Sequence, residues 1–339
     1  MIEIDGSFGE GGGQILRSSL SLAALSGKEV HFRNIRARRR KPGLMRQHLA
    51  CARAVAEISG GTLSGAELNS QELTFTPGTI RAGNYRFVVG SAGSTILIAQ
   101  TVLPCLLRAD GSSTVVIEGG THAANAPIFE FFDRVYLSCL RRMGATVSAT
   151  LETVGFYPAG GGRIRLEIEP VRRWERFELL ESGPLRSARL TALSSGIAPA
   201  IRDDEVRFCI ERLNSSDGFT AETQEVPSPG PGNVMFAELR MEKITELFSV
   251  CGDVGISRRA VGERVADMVN HYRHMQIPVW RFLADQLLLP MAIGAGGAFG
   301  TVSPSRHTQT NIAVIEKFLE VKISVEKRMN GYYLIEVKQ

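Results

Sequence analysis

One plan recurs three times along this chain, and a chain built of repeats folds by packing copies of one unit together. A glycine-rich turn opens a helix, a strand follows, and a loop then leads to a second helix and further strands. The first copy runs from Gly9-Glu10-Gly11-Gly12-Gly13 through a helix at 14–25, a strand at 29–34, a basic loop, a helix at 44–59 and a strand at 72–75. The second opens at Gly90-Ser91-Ala92-Gly93, with helices at 94–106 and 127–143, strands at 114–118, 146–150 and 162–168, and a loop at 119–126. The third has a helix at 280–292, a glycine-rich stretch at 294–300, a strand ending at Val302, a loop at 303–310, a helix at 311–318 and strands at 322–326 and 332–337. The loops 36–41, 121–126 and 303–310 therefore stand at one point of three copies, and equivalent loops of repeated units tend to converge on one site.

The stretch between the second and third copies does not fit the plan. It has strand-like segments at 187–193 and 234–240, helical segments at 204–213 and 261–275, and a turn cluster at 227–233. It is expected to be an inserted α+β domain, a size compatible with an independent unit. The boundaries are then 1–184 for copies one and two, 185–276 for the insertion and 277–339 for copy three.

The remaining bounds are ordinary. With 44% hydrophobic and 22% charged residues, the composition is that of a globular protein. Cys51, Cys105, Cys139, Cys209 and Cys251 are scattered without CxxC or zinc spacing, so buried, reduced thiols are expected. The N-terminus enters Ile2-Glu3-Ile4-Asp5 without a leader pattern and no apolar run reaches membrane length, so the cytoplasm, and no membrane partner, is the expectation. The net charge of +4 says little, but residues 36–41 read RARRRK, flanked by Arg33 and Arg46. Such a run is often only a solvated face; here it follows a strand and precedes Pro42-Gly43, which favours a phosphate or RNA contact.

Several residues can carry chemistry. Phe282, Asp285 and Gln286 stand at i, i+3 and i+4 and share one helix face, which suits a flat polar ligand such as a nucleobase. Gly9–Gln14, GEGGGQ, offers backbone N–H groups and a helix N-terminus to an anion, yet lacks the Lys-Ser/Thr of a P-loop and the Rossmann spacing. Glu10 within that turn repels phosphate unless a divalent cation lies between, which suits Mg²⁺ or Mn²⁺. Arg17, one helical turn on, faces the same region. A tight surface turn is the plain alternative, as a hairpin is for 155–162, GFYPAGGG. Of six histidines, His271 and His274 read as surface residues and His31 as structural. His122 lies in the second loop where it could line the site, and Gln47-His48 opens the helix after the basic loop. His307, in a polar turn outside any element, is the best nucleophile candidate, since no GxSxG elbow and no cysteine in a polar loop is present. A neutral imidazole can attack phosphorus without first losing a proton.

In this order the motifs resemble the RNA 3'-terminal phosphate cyclases: GEGGGQILR at 9–17, IRARRRKPGLMRQHL at 35–49, GSAGS at 90–94, GFYPAGGG at 155–162, FLADQLLLPMA at 282–292 and the His307 loop. The resemblance covers essentially the whole chain. It implies an α+β fold of three βαβαββ-type repeats, like the C-terminal domain of translation initiation factor three, with a smaller inserted α+β domain. It implies conversion of an RNA 3'-phosphate end to a 2',3'-cyclic phosphate with ATP and a divalent cation, through AMP carried on a histidine that matches His307. The metal-associated glutamate matches Glu10, the phosphate-binding arginines match Arg17, Arg36 and Arg39, and a Gln-His pair matches Gln47 and His48. Gln100, Pro127, Phe282, Leu283, Ala284, Asp285 and Gln286 match positions around the adenosine, and a homodimer is compatible with the pattern. Two positions depart. The stacking tyrosine of well-known members is Phe282, which keeps the ring and loses the hydroxyl. Val154 stands where Arg or His is usual. Two rivals remain: a non-catalytic relative in ribosome assembly, against which His307, Glu10 and the 282–286 face argue, and an enolpyruvyl-transferase-like enzyme, which would form no adenylate.

Overall fold

The computed structural model describes residues 1–328 and 331–339 as a mixed α/β fold with four four-stranded sheets. Three sheets share one order. In the first, β1 (Ile2–Asp5) runs parallel to β2 (Val30–Arg33), which pairs antiparallel with β4 (Leu73–Thr76) and through it with β3 (Thr62–Ser64). The second repeats this with β5 (Asn84–Val88), β6 (Ser113–Gly119), β8 (Gly162–Ile168) and β7 (Val147–Thr153). The third uses β9 (Phe177–Leu179), β14 (Gly297–Thr301), β16 (Tyr333–Lys338) and β15 (Lys322–Lys327). Strand β9 thus precedes the 185–276 stretch, so the third sheet draws on chain from both sides of it. A three-residue strand within an arginine- and glutamate-rich run carries too little alternation to be read from sequence.

Helices join the strands in each unit. α1 (Gly13–Ser26) and α2 (Arg46–Ser59) serve the first, ending at Gly27 and Gly60 in left-handed conformation, where glycine carries no Cβ penalty. α3 (Thr95–Leu106) serves the second, with α4 (Phe129–Phe131), a π-helical turn (Phe132–Tyr136) and α5 (Leu137–Arg142) as one continuous rod. α8 (Arg281–Ile293) and α9 (Arg306–Phe318) serve the third. α1 packs against α9, α2 and α3, and α8 packs against α9 and α3. Leu16, Leu20, Leu103, Ile98 and Leu287 are sealed between them. The first two glycine-rich turns meet at the start of α2, with Gly13 against His48 and Gly93 against Gln47, whereas the third, at 294–300, packs against Trp174, Phe177 and Val337 instead.

Residues 185–276 form the fourth sheet, ordered β11 (Phe219–Glu225), β10 (Leu185–Ser195), β12 (Gly232–Met241) and β13 (Thr245–Cys251), with α6 (Pro199–Arg212) and α7 (Arg258–Met275). The alternation of β12 divides its burial. Met235, Ala237 and Leu239 join Val265 and Tyr272 under the helices, whereas Val234 and Phe236 belong to the main core. A sheet buried on both faces needs a nearly continuous apolar strand, which VMFA supplies. On β13, Glu246 is fully buried and its carboxyl accepts the Trp280 N–H at 2.7 Å. Burial pushes that carboxyl up to about 8, so it stays protonated at neutral pH and ties the start of α8 to this sheet as a neutral acid.

Candidate functional site

The turn ahead of α1 is built to face an anion. Gly9 and Gly11 take positive φ (59° and 63°). Gly12, at the N-cap, offers no side-chain acceptor, and the first turn holds no acidic residue, so the opening N–H groups lack an internal partner. Cations and donors surround this end. A Cβ at Gly13 would meet His48 Nε2 and lie 2.9 Å from Arg17 Nη1, so any other residue would displace these two side chains. Arg39 is ion-paired with the Glu10 carboxylate and also donates to the Glu10 carbonyl at 3.2 Å. The Glu10 N–H donates to Thr310 Oγ1 at 3.1 Å, which fastens α9 over the turn.

His307 stands in the first turn of α9, not in a loop as its sequence suggests. Ser305 caps the helix by accepting from Thr308 N–H at 3.1 Å, so the helix starts at Arg306 instead of residue 311. Ser-Arg-His-Thr is a sound N-terminus, and Pro304 just ahead marks the boundary that the turn residues disguised. Gln14 orients the imidazole. Its Nε2 donates to Asp285 Oδ2 at 2.6 Å, which leaves Gln14 Oε1 to accept from His307 Nδ1 at 2.7 Å. The proton therefore sits on Nδ1, and the Nε2 lone pair is free, 3.8 Å from Glu10 Oε1. Asn311 fixes the relay from behind by donating to the Asp285 carbonyl at 2.8 Å.

Burial lowers the His307 pKa below its usual value, helped by Arg17 and Arg39 and opposed by Asp285. The electropositive start of a helix acts in the same direction. Burial raises the Asp285 carboxyl, opposed by His307 and Gln14. Protonating Nε2 removes the lone pair, so any nucleophilic role of His307 would be lost only as pH falls through the lowered pKa. The acid limb of any His307-dependent step should lie below ~6.5, the value of a free imidazole. A pH series of label transfer from α-labelled ATP checks this, and a limb at or above that value would contradict it.

A cavity of about 570 Å³ opens beside His307. Phe282, Asp285 and Gln286 line one side of it, with Gln100 bonded to Gln286. Pro127 and Asn125 come from the second unit's loop, and Gln14 and Arg17 from α1. Leu247 and Ser249 of β13 also line it, so the 185–276 sheet forms part of the wall. Phe282 keeps 47% of its surface exposed, a ring available for stacking. The volume suits a nucleoside-sized ligand, which such clefts bury largely.

The residues singled out from sequence thus divide. Arg17, Gln100, Pro127, Phe282, Asp285, Gln286 and His307 share the cavity, and Glu10 and Arg39 stand at its mouth. Leu283 and Ala284 do not line it: their side chains are buried on the core face of α8, as helical geometry requires between 282 and 285. Arg36 braces its own loop, donating to Lys41 O at 2.7 Å and Gly43 O at 2.9 Å. Gln47 accepts from Ser94 N–H at 2.9 Å and so pins the second glycine turn to α2. His48 accepts from Met45 N–H through Nδ1 at 3.1 Å, which turns its Nε2 toward Gly13 and Arg17. Burial, with Arg17 and Arg36, takes its pKa down to about 3, so it is a neutral donor. His122 is turned inward, bonded to Glu130 at 2.9 Å and Thr121 at 2.8 Å, and does not line the cavity. Gln14, Asn311, Leu247 and Ser249 were missed; only Gln14, inside GEGGGQ, had a sequence signal.

A family profile described as RNA 3'-terminal phosphate cyclase matches residues 8–325. Among curated proteins, an RNA 3'-terminal phosphate cyclase of Ralstonia nicotianae is 44% identical over 326 residues, 96% of this chain and 93% of its own. One of Koribacter versatilis is 43% identical over 330 residues, 97% of this chain and 93% of its own. One of Salmonella typhimurium is 43% identical over 332 residues, 98% and 97% respectively.

Proposed function

The chain belongs to the RNA 3'-terminal phosphate cyclase family, and on that premise we propose that it converts an RNA 3'-terminal phosphate to a 2',3'-cyclic phosphodiester with ATP, through AMP carried on His307. It is a ligase that joins phosphorus to oxygen. The observation that carries the mechanism is the Gln14-oriented imidazole, its Nε2 free at the mouth of a nucleoside-sized cavity. The fold that goes with this proposal is three βαβαββ repeats of one body, with residues 185–276 as an inserted unit. No helix among the described residues is long and apolar enough to cross a membrane, and a cytoplasmic enzyme is proposed.

In the first step His307 Nε2 attacks the α-phosphorus of ATP, an N–P bond forms, and the bond to the pyrophosphate oxygen breaks. The open N–H groups of α1, Arg17 and neutral His48 are placed to receive phosphate oxygens. In the second step an oxygen of the RNA 3'-phosphate attacks the same phosphorus, the N–P bond breaks, and a phosphoanhydride links AMP to the RNA end. The neighbouring 2'-OH then attacks the RNA phosphorus, expels AMP and closes the ring. That nucleophile is built into the substrate, so proximity supplies much of the acceleration.

Magnesium fits in a limited way. Among the described residues no cluster of three His, Cys, Asp or Glu could hold a metal unaided. Mg²⁺ commonly takes one or two carboxylates together with substrate phosphates, and Glu10 beside His307 can serve as such a ligand, in competition with Arg39. A bound Mg²⁺ would neutralise charge on the departing phosphates.

RNA carrying a labelled 3'-phosphate tests the function. The label should become phosphatase-resistant only with ATP, and an RNA whose terminal nucleotide lacks the 2'-OH should stay sensitive. Failure of the ribose-ended RNA to convert would sink the proposal. Gln14→Leu should slow self-adenylylation by ~10- to ~100-fold, the usual effect of losing an orienting partner, with stability little changed. An unchanged rate of label transfer would show that the relay does not orient His307.

A further inference from the structure

Phe8 stands in a tight turn that leaves about half of its surface open to solvent. The side chain is 52% exposed, yet the backbone beneath it is pinned. Its N–H donates to Asp5 O at 3.0 Å, the Gly11 N–H donates to Phe8 O at 2.9 Å, and Ser7 donates twice to the Asp5 carboxylate. The turn lies against the end of β2, where the Gly6 N–H reaches Arg33 O at 2.7 Å. Two residues on is Glu10, whose carboxylate is 3.8 Å from His307 Nε2. The Cα of Phe8 therefore lies within ~7 Å of that of Glu10, on the rim of the site.

Apart from Arg39, which pairs with Glu10, the cations of that rim have no ion-pair contact among the described residues. Arg33, Arg38, Arg40, Lys41 and Arg46 are exposed, and none is within ion-pair distance of a carboxylate among the described residues. Arginines elsewhere, such as Arg86, Arg165 and Arg207, pair with carboxylates. A lone exposed aromatic residue is commonplace. An exposed ring on a pinned backbone, amid arginines without ion-pair partners and beside open helix N–H groups, is the combination that binds single-stranded nucleic acid: cations follow the backbone and a ring takes the face of a base. The preset conformation of the turn reduces the ordering that binding requires.

We propose that Phe8 is the stacking platform for the base of the terminal nucleotide, the one whose 3'-phosphate is presented to His307; this rests on the cyclase function argued above. Every base has a stackable face, so the subsite accepts all four and holds purines best.

The test uses wild-type protein, Phe8→Ala and Phe8→Trp with a 3'-phosphorylated RNA ending in 2-aminopurine. Binding should quench the fluorophore on wild type and Phe8→Trp but not on Phe8→Ala. The KM for RNA should rise roughly five- to a hundredfold in Phe8→Ala, as loss of one base–aromatic stack predicts, and recover in Phe8→Trp. Self-adenylylation without RNA reports the nucleotide half of the site and should keep its wild-type rate. Equal quenching and equal KM in Phe8→Ala, with wild type cyclising normally, would overturn this subsite alone. So would loss of self-adenylylation in Phe8→Ala, which would make the residue structural. A wild-type protein that cyclises no RNA would overturn the underlying function instead.

Discussion

His307→Ala should leave a folded protein that no longer cyclises RNA, with turnover down by at least ~10⁴-fold, the scale on which removing a covalent nucleophile acts. The imidazole is half-exposed in the first turn of α9, and Ser305 rather than His307 caps the helix, so the substitution removes chemistry and little structure. Alanine also gives up the hydrogen bond from Nδ1 to Gln14. The comparison variant is His307→Asn, which can still donate to Gln14 but offers no lone-pair nitrogen. It should be as inactive as alanine. Matched melting curves with activity above about one part in a hundred in either variant would mean that another group takes the AMP, since such residual rates exceed what binding alone retains.

Arg17→Met should raise the melting temperature of the free protein while it weakens nucleotide binding. Arg17 lines the cavity one turn into α1, burial lowers its pKa against the attraction of Asp285, and no carboxylate lies within ion-pair distance among the described residues. A partly buried cation with no ion-pair contact, and Asp285 as its nearest opposing charge, opposes folding, so an apolar side chain of similar length should be tolerated or preferred there. The arrangement makes sense if an anionic ligand supplies the missing charge. Removing that ion pair should cost about 2–5 kcal/mol of ATP affinity, roughly a thirtyfold to several-thousandfold weakening. Thermal scans with and without ATP measure both effects. A variant that melts below wild type, or that keeps the wild-type shift on adding ATP, would contradict the role assigned to Arg17.

How much of this was legible in the sequence depended on whether local chemistry or distant packing decided each residue. The glycine turns and the helices after them announce themselves, because positive φ and caps are local demands. The spacing of Phe282, Asp285 and Gln286 placed them on one helix face, and all three line the cavity. That spacing also shows why Leu283 and Ala284 cannot line it with their side chains. His122, by contrast, was drawn inward by Glu130, a partner that only the folded chain brings alongside. Strand β11, FTAETQE, is an exposed edge with polar residues on both faces, so no alternation marks it. The contribution of Leu247 and Ser249 was invisible because it depends on how the 185–276 sheet docks. Glu246 illustrates the same limit: a glutamate in ITELFSV looks like a solvated residue until burial makes it a neutral anchor for α8.

The most direct measurement is to incubate the protein with α-labelled ATP and Mg²⁺ without RNA, then map the labelled peptide. The proposed chemistry predicts one acid-labile, alkali-stable adduct on the peptide carrying His307, formed with release of pyrophosphate and absent from His307→Ala. Label on another residue, or none on a folded wild-type protein, would contradict a histidine–AMP intermediate at this site.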